Sequence, residues 1–544
     1  MRQNLHCDSF SFNQASKIWL FFWLCAVQCL FVGCQTKKTK TLEVMEEEQA
    51  WHEEPYRPQY HFTPQQNWMN DPNGLVFYRG WYHLFYQYYP DDTVWGPMHW
   101  GHARSKDMVH WEHLPIALYP DELGLIFSGS AVIDQQNTSG FGSVENPAMV
   151  AMYTYHLMEG EKAGRDDFQT QGIAYSLGEG ATWTKYAGNP VIANEGIKDF
   201  RDPKVFWHEP TKMWVMALVA GDHVKFYESP NLKEWSHMSD FGKEVGAHGG
   251  VWECPDLFPL TDAKSGERKW ALLVSMNPGA PNGGSGTQYF IGDFDGKEFV
   301  SAQIEAKWLD YGTDNYAGVT YNNLPEAERV FIGWMSNWDY ARDTPTESWR
   351  SAMTLPRKLS LEKDEAGYWL KNLPLASVEN LIAKTDMNPE TIQPKDSLTL
   401  TGKDFNQGLG RFQTATQNFR LEFSNGKKNF LILEMDGSTG TFTLDRRASG
   451  KIGFHPEFGN KEHTMPIRIT KGQVYDVSLY LDKSSIEVFI DGGKYVMTQQ
   501  IFPDVDYDQL EVHNLDKVSA ITDLSVYPMA SVWIDAKEKR PVEN

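Results

Sequence analysis

The stretch NDPNGLVFYRGWYHLFYQ, residues 70–87, carries a pattern that returns four more times before residue 336. Each copy begins with an acidic residue or a serine at or near its first position, continues in a short β-rich run, makes a turn and ends in a second apolar run. The other copies include SGSAVIDQQ from Ser128, RDPKVFWHEPTKMWVMAL from Arg201, ECPDLFPLTD from Glu253 and DNYAGVTYNN from Asp314. Alternating β-branched and aromatic residues predict strands and not helices. Successive starts lie roughly 50 to 75 residues apart, the size of a four-stranded propeller blade with its loops.

Five such units predict a five-bladed β-propeller over residues 59–358. A β-sandwich is the competing all-β fold, but it does not explain a repeat that occurs five times. Further along, segments such as FRLEFSN, NFLILEMDG and SSIEVFIDGG alternate in the same way and are joined by Gly, Asn and Asp turns. We therefore predict an all-β protein, with a linker at 359–374 and a β-sandwich domain at 375–535.

Charge and cysteine content exclude several classes of function. The chain of 544 residues has a formal net charge of -22, which disfavours nucleic acid and anionic lipid as partners. Beyond residue 34 the only cysteine is Cys254, so no internal disulfide is expected there, and no Cys/His spacing resembles a zinc site. We predict no metal and no cofactor.

The N-terminal residues resemble a targeting segment. An apolar run of 15 residues, IWLFFWLCAVQCLFV, precedes Gly33-Cys34 and is too short for a comfortable membrane span. We predict a signal peptide at 1–33, lipidation of Cys34, and a flexible tether at 34–58, which would place an exported lipoprotein facing the periplasm. The cell surface is an alternative location, and plain secretion or an uncleaved anchor are alternatives to lipidation.

If the five copies are equivalent, the residues at their starts occupy equivalent places on the innermost strands and converge on one axial pocket. Three of those starts carry Asp71, Asp202 and Glu253, and a fourth carries Asp314. Like charges held together in a low dielectric oppose ionisation, so a carboxylate cluster is costly and points to a functional site. A single Asp-Pro would be an ordinary turn. Acidic residues at the equivalent position of three copies are not explained in that way.

Such a pocket could bind Ca²⁺ or catalyse acid–base chemistry on a glycosidic bond. Aromatic residues flank the copies, and their faces pack on the C–H surfaces of sugars; they are Trp68, Tyr86, Trp95, Trp100, Trp334 and Trp338. Asn70, Gln87 and Ser128 stand beside them and can hydrogen-bond sugar hydroxyls. These neighbours favour sugar chemistry over a metal site.

At these residues the sequence resembles glycoside hydrolase family 32, the family of invertases, levanases and inulinases. The resemblance runs from about residue 60 to the C-terminal end. Its motifs are WMNDPNG at 68–74, FSGS at 127–130, RDPK at 201–204, ECPDLF at 253–258, YGTDNYA around Asp314, GWMSNW at 333–338, TLPRKLSL, and SSIEVFIDGG in the second domain.

The resemblance implies a role for each matching position. Asp71 would be the nucleophile, Glu253 the acid and then the base, and Asp202 would bind fructose hydroxyls and stabilise the transition state. A retaining mechanism of this kind needs the nucleophile and the acid about 5 to 5.5 Å apart. Cys254 would pack and would not react. The subsite for the terminal fructose would be shaped by Asn70, Gln87, Trp95, Phe127, Ser128, Arg201, Asp314 and Trp338.

The intact WMNDPNG and ECPDLF motifs, and a closed axial pocket that accepts a chain end, predict an exo-acting enzyme. Its partners would be levan, inulin or sucrose. A sucrose-restricted invertase and a fructosyltransferase would share every catalytic residue, and a non-catalytic fructan-binding lipoprotein is the alternative from another class. Linkage preference and oligomeric state stay open.

Overall fold

The computed structural model describes residues 51–383, 388–402, 405–415, 417–470 and 472–533. The chain divides into two compact units. In the first, residues 1–54 with 534–544, the described residues form the 3-10 helix Trp51–Glu53. The second, Pro55–Trp533, contains all the sheets. The predicted signal peptide, Cys34 and residues 35–50 of the predicted tether lie outside the described residues.

The end of the predicted tether packs into the fold. Arg57 is fully buried and donates hydrogen bonds to Thr63 Oγ1 at 2.9 Å and to the Pro64 carbonyl at 2.8 Å. Packing in the second unit therefore begins before residue 59. Among the described residues, none of the helices has the length and apolar character that crossing a bilayer requires.

Residues 67–374, called the N-terminal region, form five sheets, with strands numbered in chain order. Sheet 1 contains β1 (Asn67–Tyr78), β2 (Trp81–Tyr89), β3 (His99–Ser105), β4 (Trp111–Leu118) and the short parallel strand β20 (Trp349–Arg350). Sheet 2 contains β5 (Leu125–Ile133), β6 (Met149–His156), β7 (Gln169–Ser176) and β8 (Thr184–Lys185). Sheet 3 contains β9 (Phe200–His208), β10 (Met213–Ala220), β11 (Val224–Ser229) and β12 (Ser236–Phe241).

The last two sheets of this region each have a path of four strands and one additional short strand. Sheet 4 contains β13 (Val251–Thr261), β14 (Arg268–Asn277), β15 (Gly286–Phe294), β16 (Phe299–Val300) and β17 (Lys307–Trp308). Sheet 5 contains β18 (Tyr316–Thr320), β19 (Val330–Met335), β21 (Ala352–Met353), β22 (Arg357–Asp364) and β23 (Gly367–Pro374). The connections include helix α1 (Met158–Lys162) and a 3-10 helix (Glu326–Glu328).

The first strands of the five sheets contact one another in a closed cycle: β1 meets β5, β5 meets β9, β9 meets β13, β13 meets β18, and β18 returns to β1. The second strands β6, β10 and β14 are buried along nearly their whole length, which agrees with their continuous apolar sequences. Each first strand thus contacts the first strands of two other sheets.

Residues 359–374, predicted to be a linker, instead belong to sheet 5. Strands β22 and β23 form an antiparallel hairpin in which Leu359, Leu361 and Leu370 are buried while alternate positions on β22 are exposed. This alternation is the ordinary pattern of a half-buried strand. The prediction was wrong because the last motif of the repeat lies before the outer strands of sheet 5, and no motif marks β22 and β23 as part of the repeat.

Residues 390–528, the C-terminal region, form two six-stranded sheets and follow helix α2 (Ala376–Glu379). Sheet 6 has the order β24 (Glu390–Ile392), β35 (Ile521–Pro528), β26 (Gly408–Thr414), β31 (Tyr475–Asp482), β32 (Ser485–Ile490) and β33 (Tyr495–Gln500). Sheet 7 has the order β25 (Ser397–Thr401), β34 (Gln509–Asn514), β27 (Asn418–Ser424), β28 (Phe430–Asp436), β29 (Thr441–Ala448) and β30 (His463–Pro466). Buried side chains of both sheets join in one apolar cluster.

Buried charges join the two regions. Arg357 of β22 pairs with Glu487 of β32 at 2.6 Å and with Asp310 at 2.9 Å. Arg446 of β29 pairs with Asp314 at 2.7 Å. All of these side chains are essentially inaccessible to solvent.

Candidate active site

One cavity, of about 460 Å³, gathers most of the predicted site residues. That volume falls in the range of ordinary small-molecule sites. Its lining includes every residue predicted for the site except Asp314, namely Asn70, Asp71, Gln87, Trp95, Phe127, Ser128, Arg201, Asp202, Glu253 and Trp338.

An irregularity in strand pairing places these residues. Each first strand loses regular register near its start: between Met69 and Pro72, Ile126 and Gly129, Arg201 and Lys204, Glu253 and Asp256, and Tyr316 and Val319. β-Bulges of this kind re-aim side chains and are common beside functional sites.

The sequence explains why register is lost at four of these five points. In β1, β9 and β13 the irregular segment contains a proline, which has no N–H to give to the ladder. In β5 it ends at Gly129, where a Cβ would lie 2.0 Å from the Met152 carbonyl oxygen. Asp202 and Cys254 adopt left-handed backbone conformations, with φ of 66° and 46°. Such conformations cost on the order of 1–3 kcal/mol each for residues other than glycine and cluster at functional sites.

Asp71 is held by two donors. Ser128 Oγ donates to Asp71 Oδ2 at 2.6 Å, and Asn70 Nδ2 donates to Asp71 Oδ1 at 3.0 Å. Asn70 is fixed in turn, because Trp68 Nε1 donates to its Oδ1 at 2.7 Å. The carboxylate is therefore oriented by neighbours of its own motif and by the FSGS segment.

Asp202 is held by backbone and sulfur contacts. The Cys254 N–H donates to Asp202 Oδ2 at 3.0 Å, and the Asp202 N–H donates to Thr154 Oγ1 at 3.0 Å. The Cys254 thiol lies 3.6 Å from Asp202 Oδ2 and 3.7 Å from Asp71 Oδ2. Burial, reinforced by the neighbouring carboxylates, raises the pKa of this thiol well above its usual range. Cys254 stays protonated and packs between two acids.

Glu253 is held from both sides. Arg201 donates to Glu253 Oε1 from Nε at 3.2 Å and from Nη2 at 3.0 Å, and the Tyr316 hydroxyl donates to Glu253 Oε2. Arg201 is fixed by Asp199, which accepts from Nη1 at 2.6 Å. Residues of two neighbouring sheets, sheet 3 and sheet 5, thus orient this single carboxyl group of sheet 4.

The electrostatics of the cavity favour retained protons. Burial raises the pKa of Asp71 to about 6, the charge of Glu253 adds to the shift, and the hydrogen bonds from Ser128 and Asn70 oppose it. Burial likewise raises the pKa of Asp202 to about 7; Arg201 opposes that shift, while Glu253 and Asp71 add to it. At Asp202, therefore, Arg201 does not offset the combined effect of burial and the two neighbouring carboxylates.

Aromatic rings form the walls. Trp338 stacks on Trp68 with ring centroids 5.9 Å apart, and Trp95 meets Phe127 edge to face at 6.1 Å. Trp334 lies behind Trp338 and is fully buried, so Trp338 is the tryptophan of that pair that faces the cavity.

Asp314 does not line the cavity. Its side chain is fully buried, pairs with Arg446, and accepts a hydrogen bond from the Tyr340 hydroxyl at 2.7 Å. The prediction that Asp314 shapes the subsite directly was wrong. Its place at the start of a copy suggested an axial position, but the pairing irregularity of β18 lies after it, so the chain turns towards the C-terminal region first.

Sequence reasoning missed part of the lining. The additional residues are His156, Met158, Glu161, Gln169, Asp199, Val251, Asn277 and Arg342. His156 stacks on Phe127 at 4.1 Å and contacts Glu161 Oε2 at 3.1 Å, so α1 contributes to one wall. Asp199 could have been predicted from the sequence, because it is an acidic residue only two positions before Arg201 of the RDPK motif. Within the described part of the chain, no group of three or more His, Cys, Asp or Glu side chains is arranged to hold a metal ion.

Comparison with known proteins adds the family. Residues 61–372 match the N-terminal domain of glycosyl hydrolases family 32, and residues 378–528 match the C-terminal domain of that family. The chain belongs to glycosyl hydrolases family 32. A levanase from Bacillus subtilis (strain 168) is 46% identical over 495 residues, which cover 89% of this chain and 72% of that protein.

Solved structures of similar proteins agree with this mostly β family fold. The crystal structure of exo-inulinase from Aspergillus awamori has a TM-score of 0.81 and 37% identity, covering 89% of this chain and 100% of that one. β-Fructofuranosidase from Schwanniomyces occidentalis, complexed with fructosyl-erythritol, has a TM-score of 0.77 and 31% identity, covering 87% of this chain and 98% of that one.

Proposed function

We propose that this family 32 member is an exo-acting, retaining β-fructosidase that releases terminal fructose from levan or inulin and also cleaves sucrose. The observation that carries the proposal is the meeting of Asp71, Asp202 and Glu253, from three different sheets, in one cavity. Fructan hydrolysis is the activity named for the levanase and the exo-inulinase that the chain resembles.

We also propose the finer fold, a five-bladed β-propeller followed by a β-sandwich. The closed cycle of first strands and their shared irregularity support a propeller axis. The single apolar cluster between sheets 6 and 7 supports the sandwich. The hairpin β22–β23 would close the fifth blade.

In the first step, the ionised Asp71 carboxylate attacks the anomeric carbon of the terminal fructosyl unit. Glu253 gives its proton to the bridging oxygen, the glycosidic bond breaks, and the shortened chain leaves as an alcohol. The fructosyl unit remains bound to Asp71 as an ester. Ser128 and Asn70 hold the attacking carboxylate in place through this step.

In the second step, Glu253 takes a proton from water and the water oxygen attacks the same carbon. The ester to Asp71 breaks, fructose leaves, and two inversions give net retention. Asp202 does not react; it binds fructose hydroxyls and stabilises the positive charge that develops on the sugar. Arg201 and Tyr316 keep Glu253 aimed at the bond being cleaved.

The exo mode follows from the shape and the lining. A cavity of about 460 Å³ walled by Trp95, Phe127 and Trp338 suits a chain end, whereas attack within a chain needs an open cleft. Asn70, Gln87 and Ser128 supply polar groups for the hydroxyls of the terminal unit.

We further propose export and a lipid anchor at Cys34, with the enzyme facing the periplasm. Support comes from the apolar run and the Gly-Cys pair that ends it. Radiolabelled palmitate should enter the wild-type protein and not the Cys34→Ala variant. Labelling of both, or of neither, would contradict the anchor.

The test of the function is product analysis with wild-type enzyme, Asp71→Ala and Glu253→Ala on levan, inulin and sucrose. Wild type should release fructose, and no longer oligosaccharide, from levan and inulin, and equal amounts of fructose and glucose from sucrose; NMR of the first fructose released should detect the retained anomer. Each substitution should lower kcat by at least about 10³-fold while the circular dichroism spectrum is kept, because each removes a group that makes or breaks bonds. A loss of only a few-fold in both variants would end the proposed mechanism.

The same assay separates the alternatives. Oligosaccharides longer than the sucrose supplied would indicate a fructosyltransferase, and activity on sucrose alone would indicate an invertase. Levan binding without turnover would indicate a binding protein.

A further inference from the structure

We propose that Arg446, a residue of the C-terminal region, is a positioning residue for the cavity in the N-terminal region. It holds the turn at residues 336–342, which carries the cavity residues Trp338 and Arg342. This proposal rests on the proposed function, because it assigns Arg446 to the same site.

The guanidinium of Arg446 is fully buried and makes five hydrogen bonds. Nη1 donates to Asp314 Oδ2 at 2.7 Å and to the Gln500 carbonyl at 3.0 Å, and Nε donates to the Phe458 carbonyl at 2.9 Å. Nη2 donates to the Tyr340 hydroxyl at 2.9 Å and to Thr313 Oγ1 at 3.2 Å. A planar fork with five donors meets this set, whereas an ammonium with three donors cannot.

Three of these partners reach the turn. Tyr340 belongs to it, and its hydroxyl is shared by Asp314 and Arg446. The Thr313 carbonyl accepts from Asn337 Nδ2 at 2.8 Å, which fixes the residue before Trp338. Gln500 Nε2 donates to the Met335 carbonyl at 3.1 Å, just before the turn begins.

The turn then presents Trp338 to the cavity. The Trp338 N–H donates to Ser285 Oγ at 3.2 Å, and Ser285 Oγ donates to Oδ1 of the cavity residue Asn277 at 3.0 Å. The ring itself stacks on Trp68, whose Nε1 orients Asn70 beside Asp71. A shift of the turn would therefore move one wall and loosen the neighbours of Asp71, and displacements near 1 Å are costly for catalysis.

Arg357 provides a matched control. It is equally buried, bridges the same two regions, and pairs with Glu487 and Asp310. None of its hydrogen-bond partners lines the cavity. Direct partners of Arg446 do not line the cavity either, but Tyr340 belongs to the turn that carries Trp338, whereas no hydrogen-bond partner of Arg357 belongs to that turn. Arg446 and Arg357 therefore share a structural role and differ in their connection to the turn.

The experiment uses full-length Arg446→Lys, Arg357→Lys and Tyr340→Phe, compared with wild type on sucrose. Tyr340→Phe keeps the ring and removes only the shared hydroxyl, so it reports on the network if Arg446→Lys fails to fold. We expect both arginine variants to lower Tm, and Arg446→Lys and Tyr340→Phe to lower kcat/KM by about 10-fold or more. Arg357→Lys should keep kcat/KM within about twofold, the usual size of effect for a change that is not coupled to the site.

A double-mutant cycle with Trp338→Ala decides whether Arg446 acts through the turn. If it does, Tyr340→Phe or Arg446→Lys should have little further effect on kcat/KM once Trp338 is absent. Fully multiplicative effects, or unchanged kcat/KM in both Tyr340→Phe and Arg446→Lys, would overturn the proposal. A wild-type enzyme that releases no fructose would instead overturn the proposed function, so the two failures are distinguishable.

Discussion

Two groups of buried carboxylates in this molecule have opposite electrostatics. At the cavity, Asp71, Asp202 and Glu253 lie together, and Arg201, the cation that acts on Asp202 and Glu253, is shared with Asp199. Where the two regions meet, Asp310, Asp314, Asp482 and Glu487 lie against two arginines and a histidine, Arg357, Arg446 and His61.

The pKa values follow this difference in compensation. Burial acts in the same direction on carboxyl groups in both places, and at the cavity it prevails: it raises the pKa of Asp71 to about 6 and of Asp202 to about 7. At the junction burial is outweighed by Arg357 and His61, so the pKa of Glu487 falls to about 2. The hydrogen bonds that His61 donates to Asp482 and Glu487 outweigh burial and raise the pKa of His61 to about 9. The carboxylates at the junction each pair with a cation. The carboxylates proposed for catalysis have fewer neighbouring cations.

The largest expected effect on stability is at the junction. Glu487→Gln should lower the free energy of unfolding by about 3–5 kcal/mol, because it breaks two buried ion pairs at once and leaves Arg357 with Asp310 and His61 with Asp482 as the remaining carboxylate partner. Chemical denaturation measures this. A loss below about 1 kcal/mol would mean that the junction charges do not stabilise the fold.

His61 should make stability depend on pH in the alkaline range. A histidine whose pKa is raised from 6.5 to about 9 contributes stability that is complete below pH 6.5 and is lost as the pH rises through 9. His61→Gln should therefore cost about 2–3 kcal/mol at pH 6, and the difference from wild type should narrow towards pH 9.5. A difference that is constant across this range would contradict a charged His61.

Replacing a carboxylate by an amide at the cavity should raise the free energy of unfolding, whereas the same replacement at the junction lowers it. Asp71→Asn should raise the free energy of unfolding at pH 7.5 by about 1–2 kcal/mol, because it removes a charge that the folded protein compensates poorly. Since the folded pKa is raised, ionisation destabilises the fold above about pH 6, and the gain should vanish as the pH falls to about 4. Destabilisation by Asp71→Asn at pH 7.5 would remove the contrast between the two regions.

Activity should report the same pKa. The proposed mechanism needs Asp71 ionised, so kcat/KM for sucrose should fall about tenfold per pH unit once the pH drops below about 6. Steady-state rates between pH 4 and 8 measure this. A flat profile down to pH 4.5 would show that the carboxylates are better compensated than the geometry indicates.

The smallest effect is expected at Cys254. Cys254→Ala should lower kcat by less than about tenfold, because the thiol stays protonated and the backbone N–H that binds Asp202 is retained. A loss comparable with that of Asp71→Ala would make the thiol part of the chemistry.

Local motifs were sufficient to find the centre of the site. WMNDPNG, FSGS, RDPK and ECPDLF each combine a reactive or polar side chain with a Pro or Gly that breaks strand pairing, so the residue and its exposure to the cavity are encoded together. The wall formed by His156 and Glu161 could not be predicted in this way. Neither residue belongs to a motif that combines a polar side chain with a Pro or Gly; His156 is the last residue of β6, and Glu161 lies in α1, in the connection that follows it.

Asp314 and residues 359–374 were placed wrongly for a related reason. Each lies where the N-terminal region meets other structure, and sequence alternation does not say which surface a strand or a carboxylate will face. Only the position of Arg446, more than a hundred residues away along the chain, decides that Asp314 forms an ion pair and does not face the cavity.

The sequence by itself determined the mostly β character, the repeated strand pattern, the family, and the three acids Asp71, Asp202 and Glu253 that meet in the cavity, because strand periodicity and turn residues act over short distances. The tertiary structure decided which acids share a desolvated cavity and which are neutralised. That outcome depends on where distant cations come to lie, since the pKa of a buried carboxyl group is set by its neighbours in space.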